Sequence, residues 1–348
     1  MDQQKVMEFL GRFTADLAAT GAAGGVAIGH RLGLYRALAQ GPATPDDLAA
    51  RTGCHARYLT EWLRGQAAGG YVAYDPATTA FHLTPEQAFC LADPAGPDLP
   101  AASVAVLGYL RAEPRISEAF RTGAGIGWHE HDEDVHVGTD AFYRAGYVAE
   151  LVPSWIPALD GVVDRLVAGA RVADVGCGLG SSTVLMAQAF PASTFVGSDY
   201  HTASVDLARK RAAEAGVADR VGFEVAAAQS FAGGPFDLVT MFDCLHDMGD
   251  PVGAARRVRE QLAPDGTWLL VEPVAADRVE DTFTTVGRLF YAGSTFLCVP
   301  NALSQDGGHA LGAQAGEAAV RAVVQEAGFT RFRRAVSTPF NAVYEIRP

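Results

Sequence analysis

The stretch "VADVGCGLGSS", Val172 to Ser182, constrains this chain more than any other. An apolar strand runs into a glycine-rich turn, and a helix follows. The turn reads Asp-x-Gly-x-Gly-x-Gly, with Asp174, Gly176, Gly178 and Gly180 in the fixed places. Glycine lets a backbone take positive φ and approach a ligand closely, and the start of the helix presents free N–H groups. The acid discriminates between ligands. A carboxylate at the strand end repels a pyrophosphate but suits a ligand with an ammonium group. Asp199 ends the next strand, "STFVGSD", nineteen residues after Gly180, where an acid is expected for ribose hydroxyls. A nucleoside carrying an amino acid meets both requirements. That describes S-adenosylmethionine (SAM) better than a dinucleotide, and a dinucleotide dehydrogenase is the weaker alternative.

The surroundings agree with this loop. From about residue 170 the strands "RVADVG", "STFVGSD", "VGFEVAA", "FDLVTMFDCL" and "TWLLVEP" are interleaved with the helices "SSTVLMAQAF", "ASVDLARKRAAEAG" and "PVGAARRVREQLAPDG". Such alternation predicts a mostly parallel sheet with helices on both faces. A last helix, "EAAVRAVVQEAGF", is followed by two strands, "RFRRAV" and "NAVYEIRP", which suggest an antiparallel edge.

The first half is built differently. Residues 1–40 space their apolar side chains at helical intervals. Thr44 caps a helix with Pro45 at its first position, "RTG" makes a turn, and "HARYLTEWLRGQAAG" forms a second helix. "YVAYD" and "AFHLT" then alternate as a hairpin. Helix, turn, helix and hairpin make a winged helix. Between residues 44 and 92 it carries three arginines (Arg51, Arg57, Arg64), no lysine and five acids. A nucleic-acid reader needs a basic face, and the whole chain has a net charge of -13, which phosphate backbones repel. The winged helix therefore reads as a packing and dimerisation module. "DPAGPDLP" marks a boundary at residues 93–100, and helices are expected at about 100–122 and 139–167 around the polar loop "GAGIGWHEHDEDVHVGTD". The expected domains are 1–100, helical and winged-helix; 101–165, a helical linker and active-site cover; and 166–348, the SAM-binding domain. Five scattered cysteines with no CxxC pair suit a reducing compartment. No run approaches the roughly 18 apolar residues of a membrane span, so the chain reads as cytoplasmic.

Residues 165–348 resemble a class I SAM-dependent methyltransferase. The whole chain resembles a bacterial small-molecule methyltransferase family with an N-terminal winged-helix domain, on the strength of "FDCLHDMGDP", "LAPDGTWLLVEP", "LCVPNALSQ" and "ALGAQAGE". The resemblance implies an α/β fold with a Rossmann-like seven-stranded sheet, mostly parallel with one antiparallel strand, and a homodimer acting on a small molecule. It implies that Asp174 and the three glycines hold the methionine part of SAM. Asp199, with Tyr200 beside it, would hold the ribose. Gln229 and Ser230 would border the adenine, and Phe242 would line the cofactor.

"DCLHDMGDP" follows the fourth strand, at the sheet edge where ligands of such folds bind. Asp250 and Pro251 are explained as the cap and first residue of the next helix, which leaves His246 and Asp247. One reading makes His246 a general base that takes a proton from a hydroxyl as oxygen attacks the methyl group. Asp247 would then orient the ring or cap a turn. The other reading makes His246 and Asp247 metal ligands, completed by His309 in "SQDGGHALGAQ", around a zinc or iron ion. Such a metal would stabilise the enolate of a 2-oxo acid, whose carbon would take the methyl group. Metal-assisted C-methylation is the leading expectation, and O-methylation by His246 without a metal is the alternative. The loop "HEHDEDVH" is a rival metal site, better read as a solvated acidic loop. Tyr143 and Arg144 in "FYRAGY", and Tyr291 in "GRLFYAGSTFLC", are the candidate substrate contacts, with Arg144 available for a carboxylate.

Overall fold

The computed structural model describes all residues from Met1 to Pro348, and the chain divides into two compact units. The first comprises Met1–Gly108 and Glu133–Ala145, and the second Tyr109–Asp132 and Gly146–Pro348.

In the first unit a long helix, Gln3–Arg31, precedes the short helix Leu34–Leu38. The winged helix follows as helices Pro45–Thr52 and Ala56–Ala68 and the hairpin strands β1 (Ala73–Asp75) and β2 (Ala80–His82). Thr44 accepts from the Asp47 N–H, while the Asp47 carboxylate accepts from the Thr44 N–H, so each satisfies an orphan donor of the helix start. Leu34, Leu38, Leu48, Leu59, Leu63 and Phe81 form its core. Gly29 is glycine for a steric reason: a Cβ there would lie 2.6 Å from Trp62 and 2.7 Å from Tyr35.

The second unit is built on seven strands: β3 (Arg171–Val175), β4 (Thr194–Asp199), β5 (Val221–Val225), β6 (Phe236–Phe242), β7 (Leu262–Pro273), β8 (Arg331–Ser337) and β9 (Asn341–Arg347). Their spatial order is β5-β4-β3-β6-β7-β9-β8. β9 runs antiparallel to both of its neighbours, and the other pairings are parallel. This is the mixed sheet expected from the closing strand pair.

Strand parity sorts the side chains. Ala173, Val175, Val239, Met241, Trp268 and Leu270 join helices Pro251–Gln261 and Gly316–Glu326 in one core. Val172, Asp174, Thr240 and Phe242 have the opposite parity, as alternation along a strand requires. The strand order reverses between β3 and β6, and that switch point is where open sheets of this kind bind ligands. No helix is long and apolar enough to cross a membrane.

Two features depart from the sequence expectations. The polar loop is shorter than its composition suggested, because Glu133–Gly146 is helical and so contains His136. Two helices also widen into π-helical turns, at Tyr147–Trp155 and Ser294–Cys298. Such turns arise where a helix is re-aimed, often at functional sites.

Candidate active site

The glycine loop fills the switch point, and its three glycines serve different needs. All have positive φ: 72° at Gly176, 51° at Gly178 and 78° at Gly180. A Cβ on Gly176 would lie 2.7 Å from the Cys244 sulfur, and one on Gly180 would lie 2.8 Å from Ala208 and 2.9 Å from Phe223. A Cβ on Gly178 would meet nothing within 4 Å. Gly176 and Gly180 therefore let the loop pack on the sheet, while Gly178 leaves open space above the backbone for a ligand.

Asp174 is enclosed by the loop it opens. Its carboxylate is 1% exposed. It accepts hydroxyl hydrogen bonds from Ser182 (2.7 Å), Thr183 (2.6 Å) and Thr240 (2.8 Å). Burial raises its pKa and the three hydroxyls oppose that rise. Asp174 thus bolts the start of helix Ser181–Ala189 to β6 and holds the loop in shape.

Asp199 lies at the end of β4, half-buried. Its Oδ2 accepts from the Gly178 N–H at 3.0 Å and its Oδ1 from the His201 N–H at 2.9 Å, so it joins the loop to the next helix. Tyr200 follows, its hydroxyl 3.4 Å from Asn301 Oδ1 and its ring edge-on to His129. Gln229 is exposed and donates to the Asp250 carbonyl at 3.1 Å, and the Ser230 hydroxyl donates back to Ala227. Phe242 packs against Tyr147 and Trp155, backing the cleft from inside the fold.

His246 occupies a short 3-10 turn, Leu245–Asp247, beyond β6. Its Nδ1 is 2.6 Å from Glu272 Oε2, and both residues are buried, at 4% and 3% exposure. Glu272 Oε1 accepts the Leu245 N–H at 3.0 Å. One carboxylate therefore fixes both the backbone of the turn and the ring it carries. Burial pulls the His246 pKa down, but the Glu272 carboxylate, and after it Cys298, push it up, and the net result is well above the usual histidine range.

Sequence reasoning missed Glu272 and gave ring orientation to Asp247. The signal was present, because Glu272 is the single charge near the end of the otherwise apolar "TWLLVEP". Asp247 is held differently. Its backbone carbonyl accepts from Asn301 Nδ2 (3.1 Å) and Gln305 Nε2 (3.2 Å). Its carboxyl is raised to about 7 by burial, against the opposing pull of His246. Asn301, also unforeseen, is 4% exposed and its Oδ1 accepts the Trp128 N–H at 2.9 Å, tying the 124–131 loop to the His246 turn. Asp250 caps helix Pro251–Gln261 as expected, accepting from the Gly253 N–H at 2.7 Å.

The proposed metal triad is not assembled. His309 has an exposed side chain, and its backbone N–H, not its ring, meets the loop, donating to the Gly249 carbonyl at 2.8 Å. His246 already spends Nδ1 on Glu272. No three His, Cys, Asp or Glu side chains are gathered closely enough to hold a metal ion, at His246–Asp247–His309 or in "HEHDEDVH". In the latter, Glu130 is paired with Arg115 at 2.6 Å, and His136 falls in the first unit while His129 and His131 fall in the second.

Of the suggested substrate contacts, Tyr143 and Arg144 lie on helix Glu133–Gly146 of the first unit. Tyr291 is 38% exposed and its hydroxyl is 2.9 Å from Thr282 Oγ1. Phe296 stacks on Tyr109 with ring centroids 5.3 Å apart.

A reversed seven-strand sheet with a glycine loop and a carboxylate at the next strand end defines a methyltransferase fold. Comparison with known proteins agrees: residues 166–322 match a methyltransferase domain family and residues 20–93 an Rv2258c-like winged helix-turn-helix domain. The chain carries both domains.

Among curated relatives, the chain is 36% identical over 161 residues to the ubiquinone biosynthesis O-methyltransferase of Ralstonia nicotianae, covering 45% of this chain and 60% of that protein. It is 30% identical over 130 residues to methyltransferase GfsG of Streptomyces halstedii, covering 37% and 46%. The matches span between 24% and 60% of the length of such relatives. Among solved structures, the mitomycin 7-O-methyltransferase MmcR superposes with a TM-score of 0.72 at 20% identity over 100% of both chains. Human N-acetylserotonin methyltransferase in complex with SAM superposes with a TM-score of 0.74 at 16% identity, over 100% of this chain and 98% of that one. At these identities the superpositions establish the fold.

Proposed function

We propose that this chain is a SAM-dependent O-methyltransferase of a small hydroxylated molecule, with His246 as the general base and Glu272 as the group that orients it. The observation that carries the reading is the buried His246–Glu272 pair at 2.6 Å, beyond the strand adjoining the glycine loop. The residues at the switch point suit SAM: open backbone at Gly178, the half-buried Asp199 carboxylate for the ribose, and the exposed Gln229 and Ser230 toward the adenine. Bound SAM supplies an electrophilic methyl group on a sulfonium centre.

The chain's own residues do the rest. Glu272 accepts a hydrogen bond from Nδ1–H and leaves Nε2 to take the proton of the acceptor hydroxyl. The oxygen–carbon bond forms as the sulfur–carbon bond breaks, and the proton ends on His246, where Glu272 stabilises the imidazolium. Relatives named as O-methyltransferases point the same way. The test is a mass-spectrometric screen of hydroxylated aromatic and aliphatic compounds with SAM, run with and without chelator, beside a set of 2-oxo acids. Gain of one methyl group on a hydroxyl, unaffected by chelation, is expected. Transfer confined to 2-oxo acids and abolished by the chelator would overturn the reading.

The homodimer also belongs to this proposal. Helix Gln3–Arg31 exposes Met7 (67%), Leu10 (50%), Phe13 (59%) and Leu17 (64%), a larger run of apolar side chains than a free surface usually carries. Light scattering is expected to give twice the chain mass, and the double substitution Phe13→Glu with Leu17→Glu to reduce it to one.

A further inference from the structure

Asn301 joins three segments of the second unit through one buried side chain. Its Oδ1 accepts the Trp128 N–H at 2.9 Å and lies 3.4 Å from the Tyr200 hydroxyl, and its Nδ2 donates to the Asp247 carbonyl at 3.1 Å. A primary amide has two acceptor sites on oxygen and two donors on nitrogen, and three separate stretches of chain occupy them here. Trp128 belongs to the 124–131 loop. Tyr200 follows Asp199, whose Oδ2 accepts from the Gly178 N–H of the glycine loop. Asp247 follows His246 in its turn. One contiguous network, of the kind through which coupling travels, thus leads from Gly178 through Asp199, Tyr200 and Asn301 to the turn that carries His246.

The surrounding chain keeps Asn301 in place. It lies on the short helix Val299–Leu303. One turn later, Gln305 donates to the same Asp247 carbonyl at 3.2 Å and accepts the Gly249 N–H at 3.1 Å. From the loop, the Ile126 N–H donates to the Pro300 carbonyl at 2.9 Å. A Cβ on Gly125 would lie 2.0 Å from the Ser304 nitrogen, so the loop rests directly on the backbone that follows the helix. The Tyr200 contact is the loosest of the three, since O–H···O bonds cluster at about 2.7–2.8 Å. It is the contact with room to tighten, and it lies on the Asp199 side.

Resting on the proposed seating of SAM at Asp199, we infer that Asn301 is a positioning residue that couples the cofactor to the base. When SAM fills the site beside Tyr200, Asn301 tightens both the 124–131 loop and the His246 turn. Oδ1 serves the loop and Nδ2 serves the turn, so the two arms are chemically separable.

The test is hydrogen–deuterium exchange of the full chain, with and without saturating S-adenosylhomocysteine. In the wild type the ligand is expected to slow exchange in the glycine loop, in residues 124–131 and in residues 245–249. The last should slow by about two- to tenfold, the fold-change of one net hydrogen bond. Asn301→Asp keeps an oxygen for the Trp128 N–H but, ionised, has no donor for the Asp247 carbonyl. It is expected to retain the ligand's effect on 124–131 and to lose it at 245–249. Asn301→Ala is expected to lose both while the glycine loop still responds. A ligand effect at 245–249 undiminished in Asn301→Asp overturns the inference, and so does a wild type in which the glycine loop alone responds. If the ligand slows exchange nowhere in the wild type, the proposed cofactor site itself fails, and the inference with it, so the two failures are distinguishable.

Discussion

Replacing His246 by alanine is expected to lower kcat by about 10²–10⁴-fold, the usual contribution of a positioned general base, with little change in SAM affinity. The ring lies beyond β6, and no glycine-loop residue bonds to it. Steady-state kinetics with the screened acceptor and calorimetric titration of SAM separate the two effects. The pH dependence follows from the raised His246 pKa. A group whose folded pKa lies above its unfolded value contributes stability that is fully present below the unfolded pKa. That contribution is lost as pH rises through the folded pKa. With the His246 pKa raised, kcat/KM is expected to rise with pH through a value above 6.5, the ordinary histidine pKa. Glu272→Gln removes the carboxylate that raises it. The limb then moves to lower pH while the maximal rate falls, because the imidazolium formed in transfer loses its counter-charge. A Glu272→Gln enzyme with wild-type rate and limb would exclude the pair from the mechanism.

Asp174→Ala is expected to cost about 2–4 kcal/mol of stability and to lower the midpoint of thermal unfolding by roughly 5–15 °C. Three buried hydroxyls, on Ser182, Thr183 and Thr240, lose their shared acceptor. Each stranded donor costs on the order of 1–3 kcal/mol, reduced here because hydroxyls can rotate to other acceptors. The same change frees the loop from β6, so SAM affinity should fall with stability. Asp174→Asn keeps one acceptor oxygen and buries no charge, and its loss should be smaller on both counts. Thermal unfolding with and without S-adenosylhomocysteine measures both. If Asp174→Ala weakened SAM binding while leaving the unbound midpoint unchanged, the carboxylate would be a ligand contact after all.

Much of this site could be read along the chain. The glycine loop, the acid ending β4 and the Asp250–Pro251 helix start all lie where their spacing put them, because each is a local device. Positive φ calls for glycine, a helix start calls for a capping oxygen, and an alternating element pattern makes a parallel sheet. The partner of His246 was not legible in the same way. Asp247 is its neighbour in sequence, but adjacent residues diverge in direction, and the carboxylate that meets the ring comes from β7. The metal reading failed for a similar reason. His309 is close to His246 in function only if its loop turns inward, and the loop instead anchors through its backbone at Gly249.

The sequence by itself determined the order of strands and helices, the place of the glycine loop and the segment that carries His246, since periodicity, glycine and capping act within a few residues. Tertiary structure alone decided what each of those residues does. It filled the lone pairs of Asp174 with three hydroxyls, turned Glu272 onto His246 and left His309 exposed. A side chain's chemistry depends on which donors and acceptors surround it in space, and those come from strands and loops far apart along the chain.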